Sequence, residues 1–161
     1  MMPEVFVKRT RFPISAEQLF AWHAEPDALE RLMPPWEHGR VIRRTGTIRE
    51  VGSHVEIRVR IGPFWHTWIS EHTACQEGRM FRDRQIKGPF AVWQHTHSFE
   101  PDGLFACYLE DRVEYALPMG ALGRMFAGRL VRRKLDRLFS YRHESTARAI
   151  GAGREGVKFN S

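Results

Sequence analysis

Trp93, His95, His97 and Phe99 alternate along the stretch AVWQHTHSFE at 91–100 and set two imidazoles between two aromatic rings. Side chains of a strand point alternately to opposite faces, so the other face is Val92, Gln94, Thr96 and Ser98, the smaller and more polar set. The imidazoles are therefore expected to point inward. Imidazole titrates near neutrality, so an inward pair serves proton transfer, metal ligation or a polar network that satisfies its own members. Each of these needs partners.

The partners come from the neighbouring stretches. On 79–87, Arg82 and Arg84 are the natural outward residues, which turns Phe81, Asp83 and Gln85 inward. On 104–115, Phe105, Cys107, Leu109, Asp111, Val113 and Tyr115 share a face opposite Glu110, Arg112 and Glu114. Asp111 is thus inward as well. The stretch 64–74 gives no decision, because Phe64, Trp68 and His72 oppose Trp65, Ile69 and Glu71. A hairpin symmetric about Pro89 sets Asp83 opposite His95, Gln85 opposite Trp93 and Phe81 opposite His97. A tight turn between Glu100 and Gly103 then pairs Phe99 with Phe105 and Trp93 with Asp111, leaving His95 diagonal to Asp111. Opposed Cβ atoms lie about 5 Å apart and diagonal ones about 7–8 Å, so Asp83, His95 and Asp111 fall within one hydrogen-bonded cluster.

A carboxylate that holds one nitrogen of His95 fixes its tautomer and raises the basicity of the other. That is the arrangement for taking a proton from an activated carbon in aldol-type cyclisation or dehydration. His95 and Asp83 are the catalytic candidates. Against this stands a purely structural network: an unpaired buried polar group costs about 1–3 kcal/mol, so interior Asp and His find partners whether or not they catalyse. On the residues alone the network ranks ahead. A third reading lets His95 and His97 share a divalent ion with Asp83 or Asp111, but HxH on a strand lacks the closed ligand set of a zinc ribbon or an HExxH helix, and no metal site is assigned. GALGRMFAG at 120–128 lacks a dinucleotide fingerprint and reads as tight helix packing. Ser140, Ser145 and Thr146 show no nucleophile elbow, and no cofactor is expected.

These residues must be held by the elements around them. Met2–Phe12 alternates as an opening strand, and Ser15 with Gln18 makes a capping box before Phe20 and Trp22 on helical spacing. A second short helix is expected from about Pro26 to Leu32, ending before Pro34-Pro35. From Gly39 to Tyr115 the period is two, with turns at Gly46, Gly52, Gly62, Gly78, Gly88 and Pro101–Gly103, which predicts six antiparallel strands. Val55, Ile57, Val59 and Ile61 alternate with His54, Glu56, Arg58 and Arg60, so the sheet has one dry side. After Pro118, Met119, Leu122, Phe126 and Leu130, then Val131, Leu135, Leu138 and Arg142, follow helical spacing to about Ile150. The order is α+β: a curved antiparallel sheet of about seven strands, gripping a long C-terminal helix, with two short helices after the first strand.

Length and charge bound the rest. The 161 residues, 42% hydrophobic and 12% aromatic, suit one domain over 1–150 with a flexible tail at 151–161. No run reaches the roughly 20 apolar residues of a membrane span, and the start lacks a secretory pattern, so a soluble, cytoplasmic protein with no integral membrane segment is expected. Cys75 and Cys107 are expected as reduced core thiols. The net charge of +6 gathers on Arg124, Arg129, Arg132, Arg133, Lys134 and Arg137, the pattern of a solvated helical face rather than a nucleic-acid surface. Nothing in the sequence sets the oligomeric state.

The stretches FAWHAEPDALERLMPPWE at 20–37, EHTACQEGRMFRDRQIKGPFAVWQHTHSFEPDG at 71–103 and DRVEYALPMG at 111–120 carry a resemblance over Val5 to about Ile150. The chain resembles the START-like superfamily, also called SRPBCC or Bet v 1-like, and within it the bacterial polyketide cyclase or dehydrase-like group. The resemblance implies a helix-grip fold and a small hydrophobic or aromatic ligand, lipid-, polyketide- or isoprenoid-like, held between sheet and helix. Trp93, His95, His97, Asp111, Phe81, Gln85, Trp68 and Phe126 are the expected wall of that cavity. Members of the group include carriers as well as cyclases, so the alternative is an enzyme using the Asp83–His95 pair.

Overall fold

The computed structural model describes residues 3–155; Met1, Met2, residues 156–161 of the expected tail, and the side chains of Arg124 and 152–155 lie outside the described residues. The period-two stretches form β1 (Glu4–Phe12), β2 (Arg40–Arg44), β3 (His54–Ile61), β4 (Phe64–Gln76), β5 (Met80–Lys87), β6 (Val92–Pro101) and β7 (Cys107–Ala116). They make one curved antiparallel sheet in the order β1-β7-β6-β5-β4-β3-β2. Hairpins join sequence neighbours from β2 to β7, and β1 returns to pair with β7. Two short helices, α1 (Ala16–His23) and α2 (Ala28–Arg31), and a 3-10 turn at Pro35–Glu37 separate β1 from β2. The capping box forms: Ser15 Oγ accepts from the Gln18 amide at 3.2 Å, and Gln18 Oε1 accepts from the Ser15 amide at 3.4 Å.

The long helix α3 (Gly120–Glu155) packs chiefly on β1 and β7. It buries Leu135, Phe139, His143, Thr146 and Ile150, a stripe on three-and-four spacing. Met119, Leu122, Phe126 and Leu130, expected on the stripe, are instead exposed. The reason is rotational. Nine residues at about 100° each carry Phe126 half a turn from Leu135, so adjacent Leu130 and Val131 belong to different faces and the sequence pattern spliced two stripes. The helix also runs on through Gly151 and Gly153 to Glu155, past the expected end at Ile150.

Two apolar clusters flank the middle of the concave face. One gathers Phe12, Leu19, Phe20, Phe81, Phe99 and Leu109; the other gathers Phe6, Trp93, Val113, Tyr115, Leu135 and Phe139. Because α3 lies over β1 and β7, the apolar side of β3 is covered only in part: Val55, Ile57 and Val59 are half-buried and Ile61 is exposed. Among the described residues, no helix is long and apolar enough to cross a membrane.

The β5–β6 register matches expectation at Phe81–His97 and Asp83–His95. Gln85 does not pair with Trp93, since the ladder ends at Arg84–Gln94. Gln85 is used otherwise: its Nε2 donates to the Phe90 carbonyl at 2.8 Å and its Oε1 accepts from the Phe90 amide at 3.3 Å, which staples the turn. The β6–β7 register is corrected by four residues, because Phe99 pairs with Leu109 rather than Phe105. A longer connection through Gly103, Leu104 and Phe105, closed by the Asp102 amide on the Ala106 carbonyl at 2.8 Å, replaces the tight turn. A slip by an even number keeps every side chain on its face, so Asp111 stays inward but sits opposite His97 instead of Trp93.

Candidate functional site

Two cross-strand rows build the site. The first runs His72, Asp83, His95 and Val113 across β4, β5, β6 and β7; the second runs Phe81, His97 and Asp111, continuing to Lys8 on β1. Paired residues of neighbouring strands share a face, so one strand spacing brings two carboxylates and three imidazoles together. Bulges at Ile69–Ser70 and His72–Ala74 explain why β4 had no readable face. They turn Trp68 and His72 toward the rows.

Asp111 is the centre of the cluster. Its Oδ1 lies 2.9 Å from His95 Nε2 and 2.7 Å from His97 Nδ1, and its Oδ2 lies 2.7 Å from His143 Nε2. The contact with His97 is close but too bent to be a directed hydrogen bond, which leaves His97 Nδ1 buried without one. His143, on α3, is fixed from its other side by Thr10 Oγ1, 2.7 Å from Nδ1. Burial opposes ionisation of Asp111. The His97 charge and the hydrogen bonds from His143 and His95 outweigh it and hold the carboxyl well below the usual range.

Asp83 is placed differently. Its Oδ2 lies 3.8 Å from His95 Nδ1 and 3.8 Å from His97 Nε2, too far for a hydrogen bond to either. Burial raises its pKa, but the histidines lower it by more, and the net shift is down. Burial and the neighbouring His97 charge push His95 down, whereas at His97 the burial penalty is overcome by Asp111 and Asp83 and the pKa rises. Burial also lowers His72 and Arg142. Arg142 feels the charges of Asp111 and Asp83, yet its Nε is buried with no hydrogen-bond partner. The site therefore combines neutral bases, carboxylates and cations in a place of low dielectric, the ingredients of proton transfer.

Aromatic walls bound the polar rows. Phe81 stacks on His97 with centroids 4.0 Å apart, and Phe139 meets His95 edge-on at 5.0 Å. Beyond His95, Trp68, Phe90 and Trp93 form a box, with Trp68 and Trp93 perpendicular at 5.0 Å. Asp83, His95, His97, Asp111, Phe81, Trp93 and Trp68 are thus brought together. Gln85 is tied to its turn, and Phe126, 81% exposed on the far side of α3, is not at the site.

His143, Thr10, His72, His23 and Arg142 join the cluster or its rim without having been singled out from sequence. For His143 the signal was present: Leu135, Phe139 and His143 recur every fourth residue and continue to Thr146 and Ile150. At the edge of this face, a recess of about 310 Å³ lies between α3 and the β3–β4 end of the sheet, lined by Trp36, Glu37, His38, Arg60, Lys134 and Arg137.

The solved structures similar to this one share its architecture at low identity. Norcoclaurine synthase of Thalictrum flavum superposes with a TM-score of 0.72 at 14% identity, over 94% of this chain and 96% of that one. A protein of Thermus thermophilus gives 0.67 at 17% identity over 91% and 99%. Ara h 8.0201 gives 0.61 at 12% identity over 89% and 97%. These are Bet v 1-like proteins, and at such identities the likeness is one of fold. No curated protein matches the chain in sequence. The pattern of polyketide cyclase / dehydrase and lipid transport proteins, however, matches residues 12–139, and the chain belongs to that family.

Proposed function

We propose that the protein binds a small hydrophobic or aromatic molecule, lipid-, polyketide- or isoprenoid-like, between the concave sheet face and α3. The observation that carries this is the incomplete cover of β3 and β4. Val55, Ile57, Val59 and Trp68 stay half-buried on the sheet, and the separate recess of about 310 Å³ at the β3–β4 end is at the lower end of small-ligand pockets, commonly about 300–1,000 Å³. Apolar surface left half-wet inside a concave fold gains about 25 cal/mol per Å² when a ligand covers it. Family membership supports the reading, since the family joins cyclases with lipid carriers. Arg60, Lys134 and Arg137 at the rim suit a ligand with an acidic end.

The probe for this reading is 8-anilinonaphthalene-1-sulfonate, which is aromatic and anionic. Saturable enhancement of its fluorescence by folded protein at neutral pH is expected, and Ile57→Arg, which puts a charge on the half-buried face, is expected to abolish it. No enhancement by the native protein, together with native mass spectrometry showing no co-purified small molecule, would overturn the proposal.

A second reading rests on a separate observation, the line Asp111–His95–Asp83. Asp111 holds His95 Nε2–H, so Nδ1 carries the lone pair that takes a proton from an acidic carbon, while Arg142, which feels the charges of Asp111 and Asp83 and has an unpartnered Nε, is the cation available to the resulting enolate oxygen. This is polyketide cyclase or dehydrase chemistry. His95→Ala separates the two readings. Loss of turnover of a poly-β-ketone thioester with dye binding retained favours catalysis; undiminished turnover removes His95 as the base.

A further inference from the structure

We propose that Asp83, His95 and His97 form a binding site for a divalent transition-metal ion. Asp83 Oδ2, His95 Nδ1 and His97 Nε2 converge from two adjacent strands, and all lie within 4.8 Å of one another. Neither imidazole is hydrogen-bonded to Asp83, the distances being 3.8 Å in both cases. Asp111 accepts His95 Nε2–H at 2.9 Å, which leaves a lone pair on Nδ1 facing a carboxylate oxygen. This lone pair and the Asp83 carboxylate are two acceptors facing each other at 3.8 Å, and they repel until a cation sits between them.

The spacing suits such a cation. A tetrahedral ion with bonds of about 2.1 Å has ligand atoms about 3.4 Å apart, so the two 3.8 Å edges at Asp83 need to close by only a few tenths of an ångström to form part of a coordination face. Three protein ligands leave a further position for water or an oxygen of a bound molecule. Two imidazoles and one carboxylate favour Zn²⁺, Fe²⁺, Co²⁺ or Ni²⁺ over Mg²⁺ and Ca²⁺, which prefer oxygen alone.

The surroundings point the same way. Metal-bound imidazoles characteristically present their other nitrogen to a carboxylate, which fixes the ring and strengthens it as a donor. Asp111 stands in that relation to His95, whose Nε2–H it accepts at 2.9 Å, lies 2.7 Å from His97 Nδ1 as a close ionic contact, and is itself anchored by His143. Asp83 and Asp111 together balance a doubly charged ion in a buried place. The inference does not require the organic ligand proposed above, but it competes with the base role of His95, because the ion would take the same Nδ1 lone pair.

The test uses the full chain, stripped with chelator and titrated with Co²⁺ or Zn²⁺. Expected are one tightly bound Zn²⁺ per chain by calorimetry and visible d–d bands with Co²⁺, bleached by excess Zn²⁺ and unchanged by Mg²⁺. Asp83→Asn and His97→Gln should each weaken binding at least tenfold, and Asp111→Asn by about 10–100-fold, the usual effect of removing such a partner. Circular dichroism checks that each variant is folded, and His54→Ala, at a surface histidine, should leave binding unchanged. The proposal is overturned by absent bands, or by folded Asp83→Asn and His97→Gln proteins that bind as tightly as the native chain, since the ion would then sit on surface groups.

Discussion

The Nε2 of His143 on α3 lies 2.7 Å from Oδ2 of Asp111 on β7, and this buried contact ties the helix to the polar rows of the sheet. Asp111 also receives His95 at 2.9 Å, so one carboxylate organises residues from β6, β7 and α3. Its removal leaves several buried donors without an acceptor. Asp111→Ala is therefore expected to lose about 3–5 kcal/mol, the scale for breaking a buried ionic network by deleting one member. Urea unfolding measures this, and a loss below about 1 kcal/mol would show that the network carries little stability.

Asp83 should behave in the opposite way. It stands 3.8 Å from its nearest imidazole nitrogens and makes no hydrogen bond with them, so Asp83→Asn breaks none. The expected cost is under about 1 kcal/mol, the range of substitutions that leave packing and buried bonds intact. Similar denaturation midpoints for Asp83→Asn and the native chain, against a large shift for Asp111→Ala, would mark Asp83 as kept for something other than stability. A loss at Asp83 equal to that at Asp111 contradicts this division of labour.

The sheet was legible because its strands alternate cleanly. Phe81, Asp83, His95, His97 and Asp111 could all be assigned inward from neighbours alone, and an even register slip cannot undo such an assignment. What could not be read was the length of the β6–β7 connection, since Leu104 and Phe105 look like strand residues yet are exposed in a loop. It decides whether Asp111 meets Trp93 or His97. The helical contribution was hidden for another reason. On α3 two apolar series lie on opposite sides, and the one that faces the sheet contains His143 and Thr146, whose polarity masks a buried position. β4 resisted reading because two bulges interrupt its alternation.

His23 gives the fold a pH dependence of defined sign. Its Nδ1–H donates to the Leu19 carbonyl at 2.9 Å, the ring packs on Phe99, and burial pushes its pKa from 6.5 to about 4. Above pH 6.5 the imidazole is neutral in both the folded and unfolded states and its contribution is complete. As the pH falls from 6.5 toward 4, the unfolded chain takes the proton first, so stability is lost across that window. A shift of this size corresponds to about 3 kcal/mol when the group is fully buried. Unfolding midpoints measured from pH 7 to pH 4.5 should fall more steeply in the native chain than in His23→Phe; identical slopes would mean that His23 is not buried in its neutral form.

Gly123 tests how α3 begins. A Cβ built at this position would meet the Pro118 carbonyl oxygen at 2.0 Å, and Leu117 and Pro118 lead straight from β7 into the helix. Gly123, one of the three glycines of GALGRMFAG, is thus required by the approach of its own connecting segment. Intrinsic propensity argues the other way, since alanine is about 1 kcal/mol better than glycine inside a helix. A backbone oxygen at that distance cannot swing aside as a flexible side chain would, so the clash must be relieved by moving the chain, at about 1–3 kcal/mol. The steric effect should win: Gly123→Ala is expected to lower stability, whereas Gly151→Ala, where a Cβ meets nothing, should preserve or raise it. A Gly123→Ala protein with a higher denaturation midpoint would show that the segment from Leu117 to Gly123 is looser than this geometry.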